Sequence, residues 1–375
     1  MKFGIITHAI HKVKGGKVYA YEPYVREMNL WAKYVDEIII LAPISNEKIT
    51  NLEIAYHHPK IKVVHIPSFD IISFNNTLKS LLVIPKICWS IYKVMQQVTH
   101  IHLRCPGNIG LLGCLVQVVF PLKPKTAKYA GNWDPQSKQP VTYRFQKWLL
   151  ANTFLTKKMK VLVYGDWPQQ TKNIVSFFTA SYHKQEIEEV SFKDLSVQVR
   201  LIYVGGLTVG KQPLLSIKTT HELILKGHNI RLDIYGDGVM RNEIENYIKL
   251  HQLENNVFLH GNQPKNIVKE AYKQSHFLLF ISKSEGWPKV VAEAMFWRCL
   301  PISSKVSCVP YMLDYGNRGS LVESNVSKEE LVKIIIKYIN NENNYQKKVL
   351  SAQKWSQGFT LNSFEQEIKN VLIDE

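Results

Sequence analysis

The stretch Phe277-Leu278-Leu279-Phe280-Ile281-Ser282-Lys283-Ser284-Glu285-Gly286-Trp287-Pro288-Lys289-Val290-Val291-Ala292-Glu293-Ala294-Met295 decides how the chain is read. Its first five residues are all apolar and are bounded by polar ones, the pattern of a short strand buried on both faces. Pro288 fits the first position of a helix, and residues 288–298 keep helical spacing. Strand, polar loop and helix make one βα unit, which puts Glu285 in the loop and Glu293 well inside the helix. Two carboxylates are thereby aimed at one crevice. The N–H groups freed around Gly286, Trp287, Pro288, Lys289 and Val290 suit a phosphate, with Lys289 adding charge. Glu293 has a second reading, an ion pair with Lys289 one turn earlier on a solvated face.

The same unit recurs on both sides of this stretch. Strands are expected at 200–204, 231–235, 257–260, 277–281, 300–303 and 320–322, with helices at 213–226, 241–251 and 288–298 between them. The first half repeats the alternation with strands at 3–8, 37–42, 62–66, 100–104, 126–130 and 161–164, and helices at 19–34 and 77–97. Alternating βα units predict parallel sheets covered by helices. Residues 181–194 turn polar and charged, and read as an interdomain linker. The expected organisation is a domain over 1–190, a second over 191–358, and a C-terminal helix over 359–375 that packs back on the first. Two doubly wound domains in tandem predict a ligand cleft between them, at the carboxyl ends of both sheets.

Composition removes several classes. With 19 Gly and 16 Pro in 375 residues and 45% hydrophobic residues, neither a fibrous nor a disordered chain fits. Five cysteines, odd in number and without a C-x-x-C pair, are the usage of a reducing cytosol. Residues 1–8 turn polar too early for a signal peptide, and the apolar windows 78–89 and 109–121 are shorter than a membrane span, so a cytoplasmic protein is expected. The net charge of +16 is unevenly spread: residues 1–190 hold 24 Lys+Arg against 12 Asp+Glu, and residues 191–375 hold 23 against 19. A cationic first half attracts an anionic membrane surface or phosphorylated substrates. No nucleic-acid-binding motif accompanies the charge, and no nucleic-acid partner is expected.

Smaller motifs leave alternatives open. Gly15 and Gly16 follow the first strand, where glycine lets backbone N–H groups approach an anion, or simply supplies a loop with positive φ. Neither G-x-G-x-x-G nor G-x-x-x-x-G-K-[ST] is present. His8/His11 and His57-His58 have spacings that suit a metal, but without acidic or Cys partners they read as structural. The aromatic residues of 141–154 lie at helical spacing and read as core rather than as a sugar platform. Asp166-Trp167-Pro168 ends a strand near the linker, in reach of an acceptor.

Glu285 and Glu293 form an E-x7-E pattern in an E-G-x-P…E-A-M setting that resembles the retaining GT-B glycosyltransferases of glycosyltransferase family 4. Tyr203-Val204-Gly205-Gly206-Leu207 with Lys211 resembles the family's G-R-L-x-x-x-K strand and loop. Asp233-Ile234-Tyr235-Gly236-Asp237-Gly238 and Val257-Phe258-Leu259-His260-Gly261 resemble the segments that follow. The likeness covers most of 200–322; the first half matches only through Gly15-Gly16 and the strand order.

The resemblance implies an α/β protein of two Rossmann-like doubly wound domains (GT-B), with an acceptor domain first and a nucleotide-sugar domain second. It implies a donor site of Gly15, Gly16, Gly206, Gly236, Gly286, Trp287, Pro288, Lys289, Val290 and Glu293, in which Glu293 meets the ribose, Glu285 the transferred sugar and Lys211 the diphosphate. No metal and no other cofactor is expected, because ammonium and N–H groups can stabilise the departing diphosphate. Three positions depart from the pattern. Gly206 stands where the family has a diphosphate-binding Arg, Arg298 where it has a Gly, and Asn132 near its sugar-facing His. Arg298, Lys289 or Arg104 could restore the missing charge. Asn132 can serve a sugar hydroxyl through its amide, and Asp134 reads as a helix cap before Pro135 rather than a catalytic group. The expected activity is transfer from a nucleotide-sugar donor to a glycan or lipid-linked phosphate acceptor, in cell-surface polysaccharide or glycolipid synthesis at the inner face of the membrane. A sugar-nucleotide epimerase and a non-catalytic nucleotide-sugar scaffold are the competing readings.

Overall fold

The structure is a computed structural model that describes residues 1–50, 52–67, 74–168 and 170–373, with backbone only for 74–82. It divides into two compact units, residues 1–177 with 365–375, and residues 178–364.

In the first unit the strands are β1 Lys2–Ile6, β2 His11–Lys14, β3 Lys17–Tyr21, β4 Glu37–Ala42, β5 Glu53–Ala55, β6 Ile61–His65, β7 His100–Cys105, β8 Lys125–Tyr129, β9 Met159–Tyr164 and β10 Ile174–Phe177. Among the described residues, seven of them form one parallel sheet in the order β10-β9-β8-β7-β1-β4-β6. Runs such as Ile38-Ile39-Ile40-Leu41 are buried because helices cover the sheet. The helices Phe74–Gln97, Asn108–Val116 and Val141–Ala151 contribute Ile87, Ile91, Leu112, Leu149 and Leu150 to the core over that sheet.

The remaining strands make a small antiparallel sheet, β2-β3-β5, which the sequence reading missed. The helix expected over 19–34 begins only at Glu22, because residues 17–21 pair with β2 and β5. Gly15 and Gly16, at φ +57° and +73°, are the two-residue turn of the hairpin. Two successive positive φ angles are the mark of a type I′ turn, which glycine adopts without strain.

The second unit carries β11 Val199–Val204, β12 Ile230–Tyr235, β13 Val257–Gly261, β14 Phe277–Phe280, β15 Leu300–Ser304 and β16 Ser320–Val322, all parallel, in the order β13-β12-β11-β14-β15-β16. Strand order reverses at β1/β7 in the first unit and at β11/β14 in the second. In open α/β sheets, ligands bind beyond the carboxyl ends of the strands at such reversals.

The units divide at 177/178, earlier than the expected linker. Residues 181–194 are instead anchored to the second unit. The half-buried Lys193 side chain donates to the carbonyls of Tyr272 (2.9 Å), Ser275 (2.5 Å), Trp297 (3.2 Å) and Arg298 (2.9 Å), closing the carboxyl ends of the helices Lys265–Gln274 and Lys289–Phe296. The last helix, Leu361–Ile373, enters the first unit from Glu365 onward. There Glu365 accepts from Lys33 Nζ (2.9 Å) and Tyr34 Oη (3.0 Å), and Lys160 Nζ donates to the Val371 carbonyl (3.1 Å). Residues 374 and 375 of the expected terminal helix lie outside the described residues. Among the described residues, no helix is long and apolar enough to cross a membrane.

Candidate active site

Lys211 and Glu285 meet where β11 and β14 end. After β11 the chain passes through Gly205 and Gly206, makes a single turn at Val209–Lys211, takes the left-handed conformation at Gln212 (φ +49°) and enters the helix Pro213–Leu225. The buried Tyr203 hydroxyl braces this loop by donating to the Gly206 carbonyl at 3.0 Å. Gly236 packs against it from the next loop. A Cβ on Gly236 would lie 2.0 Å from the Gly205 carbonyl oxygen, and Gly236 N–H donates to the Gly261 carbonyl at 2.8 Å. Gly236 is therefore a backbone-packing position, needed for the close approach of two loops.

The loop after β14 is pinned on three sides. Ser304 Oγ accepts from Ser282 N–H (2.9 Å) and donates to the Ser282 carbonyl (2.7 Å), while Ser307 Oγ donates to the Gly286 carbonyl (2.8 Å). Lys283 N–H donates to the Gly210 carbonyl (2.9 Å), tying this loop to the one after β11. That tie places the Lys211 ammonium against the Glu285 carboxylate, with which it forms an ion pair. The helix Lys289–Phe296 then begins, with Pro288 as its N-cap rather than its first residue; Val291 N–H donates to the Pro288 carbonyl (3.0 Å), and the N–H groups of Lys289 and Val290 have no helical acceptor. Lys289 and Val290 sit half-buried in that turn.

Glu293 is engaged elsewhere. Its carboxylate accepts from the Ser181 hydroxyl and, at 3.4 Å, from the buried Tyr272 hydroxyl. Burial, then the charge of Glu293, pushes the Tyr272 phenol well above its ordinary range, so it stays a donor. The alternative pairing with Lys289 does not form: Lys289 and Glu293 line one small cavity with Ser181, Tyr182 and Phe296, and the hydroxyls hold the carboxylate. Nothing in the sequence marked Ser181, which lies in the charged stretch read as linker.

Several expected site residues are placed differently. Trp287 is 7% exposed and packs among Phe178, Trp355 and Phe359, so its ring is core and not a donor contact. Arg298 lies beyond the far end of the helix, about 13 Å along the axis from its first turn at 1.5 Å per residue. Its guanidinium donates to the Val190 carbonyl and to Gln353 Oε1 (2.7 Å) and covers the Phe192 ring, so it does not replace the missing Arg. Arg298 has φ +57°, the left-handed conformation that a glycine there would take without strain. Arg104 is committed within the first unit to Glu27 Oε1 (2.9 Å) and the Tyr24 ring. Gly206 has open space: a Cβ there would meet only Thr208 and Asp237 at 3.8–3.9 Å.

In the first unit, Asn132 Oδ1 accepts from Asp134 N–H (2.9 Å), and Asp134 Oδ1 accepts from Gln136 N–H (2.8 Å). Asp134 therefore shapes a turn and caps no helix, since the next one begins at Val141. Gly15 and Gly16 stand at an exposed hairpin tip and not at a helix N-terminus, so they do not form the expected anion cradle there. His11 bonds to the Ala9 carbonyl (2.8 Å) and the Tyr56 hydroxyl (2.9 Å), and His58 to the Val35 carbonyl (3.1 Å), which accounts for both as structural. Trp167 packs against the core and donates to the Tyr164 carbonyl (2.8 Å). The aromatic residues of 141–154 are not core: Phe145, Trp148 and Phe154 are exposed.

One further group escaped the sequence reading. Asp233 accepts from Arg231 through two bonds of 2.8 Å and from His260 Nε2 at 2.7 Å. Burial acts to raise its pKa, but these two partners outweigh it and hold the carboxyl below its ordinary range. The Tyr235 ring stacks on His260 at 4.5 Å. Among the described residues, no three His, Cys, Asp or Glu side chains are grouped to hold a metal ion.

Residues 185–355 match the family described as Glycosyl transferases group 1. The uncharacterized glycosyltransferase MJ1059 of Methanocaldococcus jannaschii is 29% identical over 161 residues, a match that takes in 41% of this chain and 38% of that protein. The chain thus spans well under half the length of that relative. Among solved structures, Anabaena Alr3699/HepE in complex with UDP superposes with a TM-score of 0.67 at 15% identity, over 100% of both chains. Sucrose-phosphate synthase from Thermosynechococcus elongatus gives 0.66 at 14%, over 100% of this chain and 98% of that one. At such identities the likeness shows the fold, which is GT-B.

Proposed function

From a chain whose second unit is a glycosyl transferases group 1 domain on a GT-B fold, we propose transfer of a sugar from a nucleoside-diphosphate sugar to an acceptor hydroxyl, with retention and without a divalent metal. The observation that carries this reading is the Lys211–Glu285 pair at the β11/β14 reversal, beside the first turn of the helix Lys289–Phe296. The leaving diphosphate gains negative charge as its bond to the sugar breaks. In this reading Lys211, the N–H groups of Lys289 and Val290, and the Lys289 ammonium stabilise that charge, the work a bound cation does in metal-dependent transferases. Glu285 then accepts from the sugar hydroxyls, and Glu293 accepts from the ribose once it exchanges the Ser181 hydroxyl for a ribose hydroxyl.

Retention follows from attack on the face the diphosphate leaves, with the leaving phosphate taking the acceptor proton. Because UDP occupies the Anabaena structure, uridine is the first base to test. The acceptor is a glycan or a lipid-linked phosphate at the cytoplasmic face of the membrane, in cell-surface polysaccharide or glycolipid synthesis, a reading supported by the basic excess of the first unit. Asn132 is proposed to meet the sugar or the acceptor.

Thermal melting with a panel of nucleotide sugars, with and without excess chelator, tests the donor. A bound donor at 100 times its dissociation constant adds about 2.7 kcal/mol of stability. No shift with any donor removes the reading, and a shift or turnover that vanishes on chelation removes the metal-free site. The anomeric configuration of the product decides retention.

A further inference from the structure

We infer that the outer face of the first unit's helical layer is a docking surface for an anionic lipid bilayer; the inference rests on the lipid-linked-acceptor reading but not on the donor chemistry. The helices Phe74–Gln97, Asn108–Val116 and Val141–Ala151 pack side by side, with Ile87, Ile91, Leu112 and Leu149 turned into the core beneath them. Their opposite faces expose large apolar groups: Trp89 at 58%, Leu115 at 44%, Phe145 at 42% and Trp148 at 56%. The connections that follow add Leu122 and Phe154, exposed at 79% and 76%. A soluble surface shows such residues singly, whereas here they are grouped on one layer.

Charge selects the partner. Between Lys86 and Lys158 the sequence contains a single acidic residue, Asp134, and that one lies in a turn off these helices. Lys86, Lys93, Arg144, Lys157 and Lys158 are exposed among the apolar groups. The Lys93 ammonium lies 5.2 Å from the Trp89 ring and the Lys157 ammonium 5.2 Å from the Phe154 ring, while Phe145 and Trp148 stack at 5.7 Å. Aromatic rings with cations beside them match the level of a bilayer where headgroup phosphates meet the acyl boundary. A nucleic acid offers phosphates but no apolar phase for Leu115, Leu122 and Trp148, and a protein partner would need to bring the carboxylates this face lacks.

Co-sedimentation of the full chain with vesicles tests the surface. Vesicles of phosphatidylcholine and phosphatidylglycerol in a two-to-one ratio should bind the protein, pure phosphatidylcholine should not, and added salt should weaken the binding. Replacing Phe145→Ser with Trp148→Ser, both exposed and therefore compatible with folding, should lower vesicle affinity roughly tenfold or more. Lys157→Glu with Lys158→Glu should lower it too. Both variants should keep the thermal shift given by nucleotide, which separates failure of this surface from failure of the donor site. Undiminished vesicle binding by both variants, or equal binding to neutral vesicles, overturns the inference. A dimer in solution that the serine variant dissolves, with no vesicle binding, assigns the face to a second copy and overturns it as well.

Discussion

The Lys211 ammonium is paired with the Glu285 carboxylate, a residue 74 positions further along the chain. Both side chains keep some access to solvent, at 30% and 11% of their surface. On the proposed function, an arriving diphosphate competes with Glu285 for the ammonium, and in winning it would leave the carboxylate to accept from sugar hydroxyls. Under that proposal, recognition of the anion and preparation of the sugar subsite would be one rearrangement.

If Lys211 holds the diphosphate as proposed, Lys211→Ala removes a charge-assisted contact worth about 1.5–3 kcal/mol and should lower kcat/KM roughly 10–150-fold. Steady-state kinetics with saturating acceptor measures this. An unchanged kcat/KM would place the diphosphate elsewhere.

Glu285→Gln should act in opposite directions on two readouts. Losing the competing carboxylate should tighten binding of the free nucleoside diphosphate several-fold, in keeping with about 1 kcal/mol for a partly screened pair. Turnover should fall about 100-fold or more, since the sugar loses an acceptor aligned in the transition state. Calorimetric titration of the diphosphate, set beside turnover, separates the effects, and weaker diphosphate binding would show that the pair does not compete.

Gly206→Arg puts back the cation that the resemblance leads one to expect. The position has room for a Cβ, and Arg298 and Arg104 are held by other partners. The substitution should leave the melting temperature within about a degree or two, a surface change of ±0.5 kcal/mol or less, and should tighten diphosphate binding. Weaker binding would mean that another cation already fills the subsite.

Glu293→Ala takes the acceptor from the Tyr272 hydroxyl, whose residue is fully buried. A buried donor left without a partner costs about 1–3 kcal/mol, so urea unfolding without ligand should show that loss. Ser181→Ala, which leaves Tyr272 its acceptor, should cost less. Equal stability of Glu293→Ala and the parent would mean that Tyr272 finds another acceptor.

The parallel strands were legible because both of their faces are buried, which writes an unbroken apolar run into the sequence at 38–42 or 277–280. The hairpin Lys12–Tyr19 pairing was not, because short strands with one exposed face alternate too briefly to separate from a helix, and Gly15-Gly16 reads equally as a turn or as an anion loop. Near the β11/β14 reversal, Glu285 was legible from its place in a loop directly after a buried strand, and Lys211 only through the resemblance of 203–211 to a family's strand and loop; that the two side chains pair was in neither signal. The neighbours of Glu293 were not, because Ser181 and Tyr272 lie 112 and 21 residues away and carry no local pattern. Arg298 shows the opposite limit: the lost glycine was visible, but the side chain's direction depends on a left-handed backbone and on Val190, which sequence spacing does not encode.

His276 makes the second unit's stability depend on pH. It is 4% exposed, its Nδ1 accepts the Arg200 N–H at 3.0 Å, and its Nε2 donates to the Asp194 carbonyl at 3.0 Å. Only the neutral ring with its proton on Nε2 satisfies both bonds, since a proton on Nδ1 would face another N–H. Burial, and then the nearby charge of Lys193, lowers its pKa from 6.5 to about 4. In the unfolded chain the ring titrates near 6.5. Between pH 4 and 6.5 the unfolded state therefore binds more protons than the folded one, so stability rises with pH across that window and is lost as the medium is acidified through it. The full effect is about 3 kcal/mol at 1.36 kcal/mol per unit. Urea unfolding from pH 7 down to pH 4.5 should show a steady fall for the parent protein. His276→Gln can still accept from Arg200 and donate to Asp194 but does not titrate, so its fall should be smaller by about 2–3 kcal/mol. Buried His11 and His102, with pKa values held at about 4 and about 3 in the first unit, add their own acid lability, which the difference between the two proteins cancels. Parallel curves for parent and variant would mean that His276 is as easily protonated folded as unfolded.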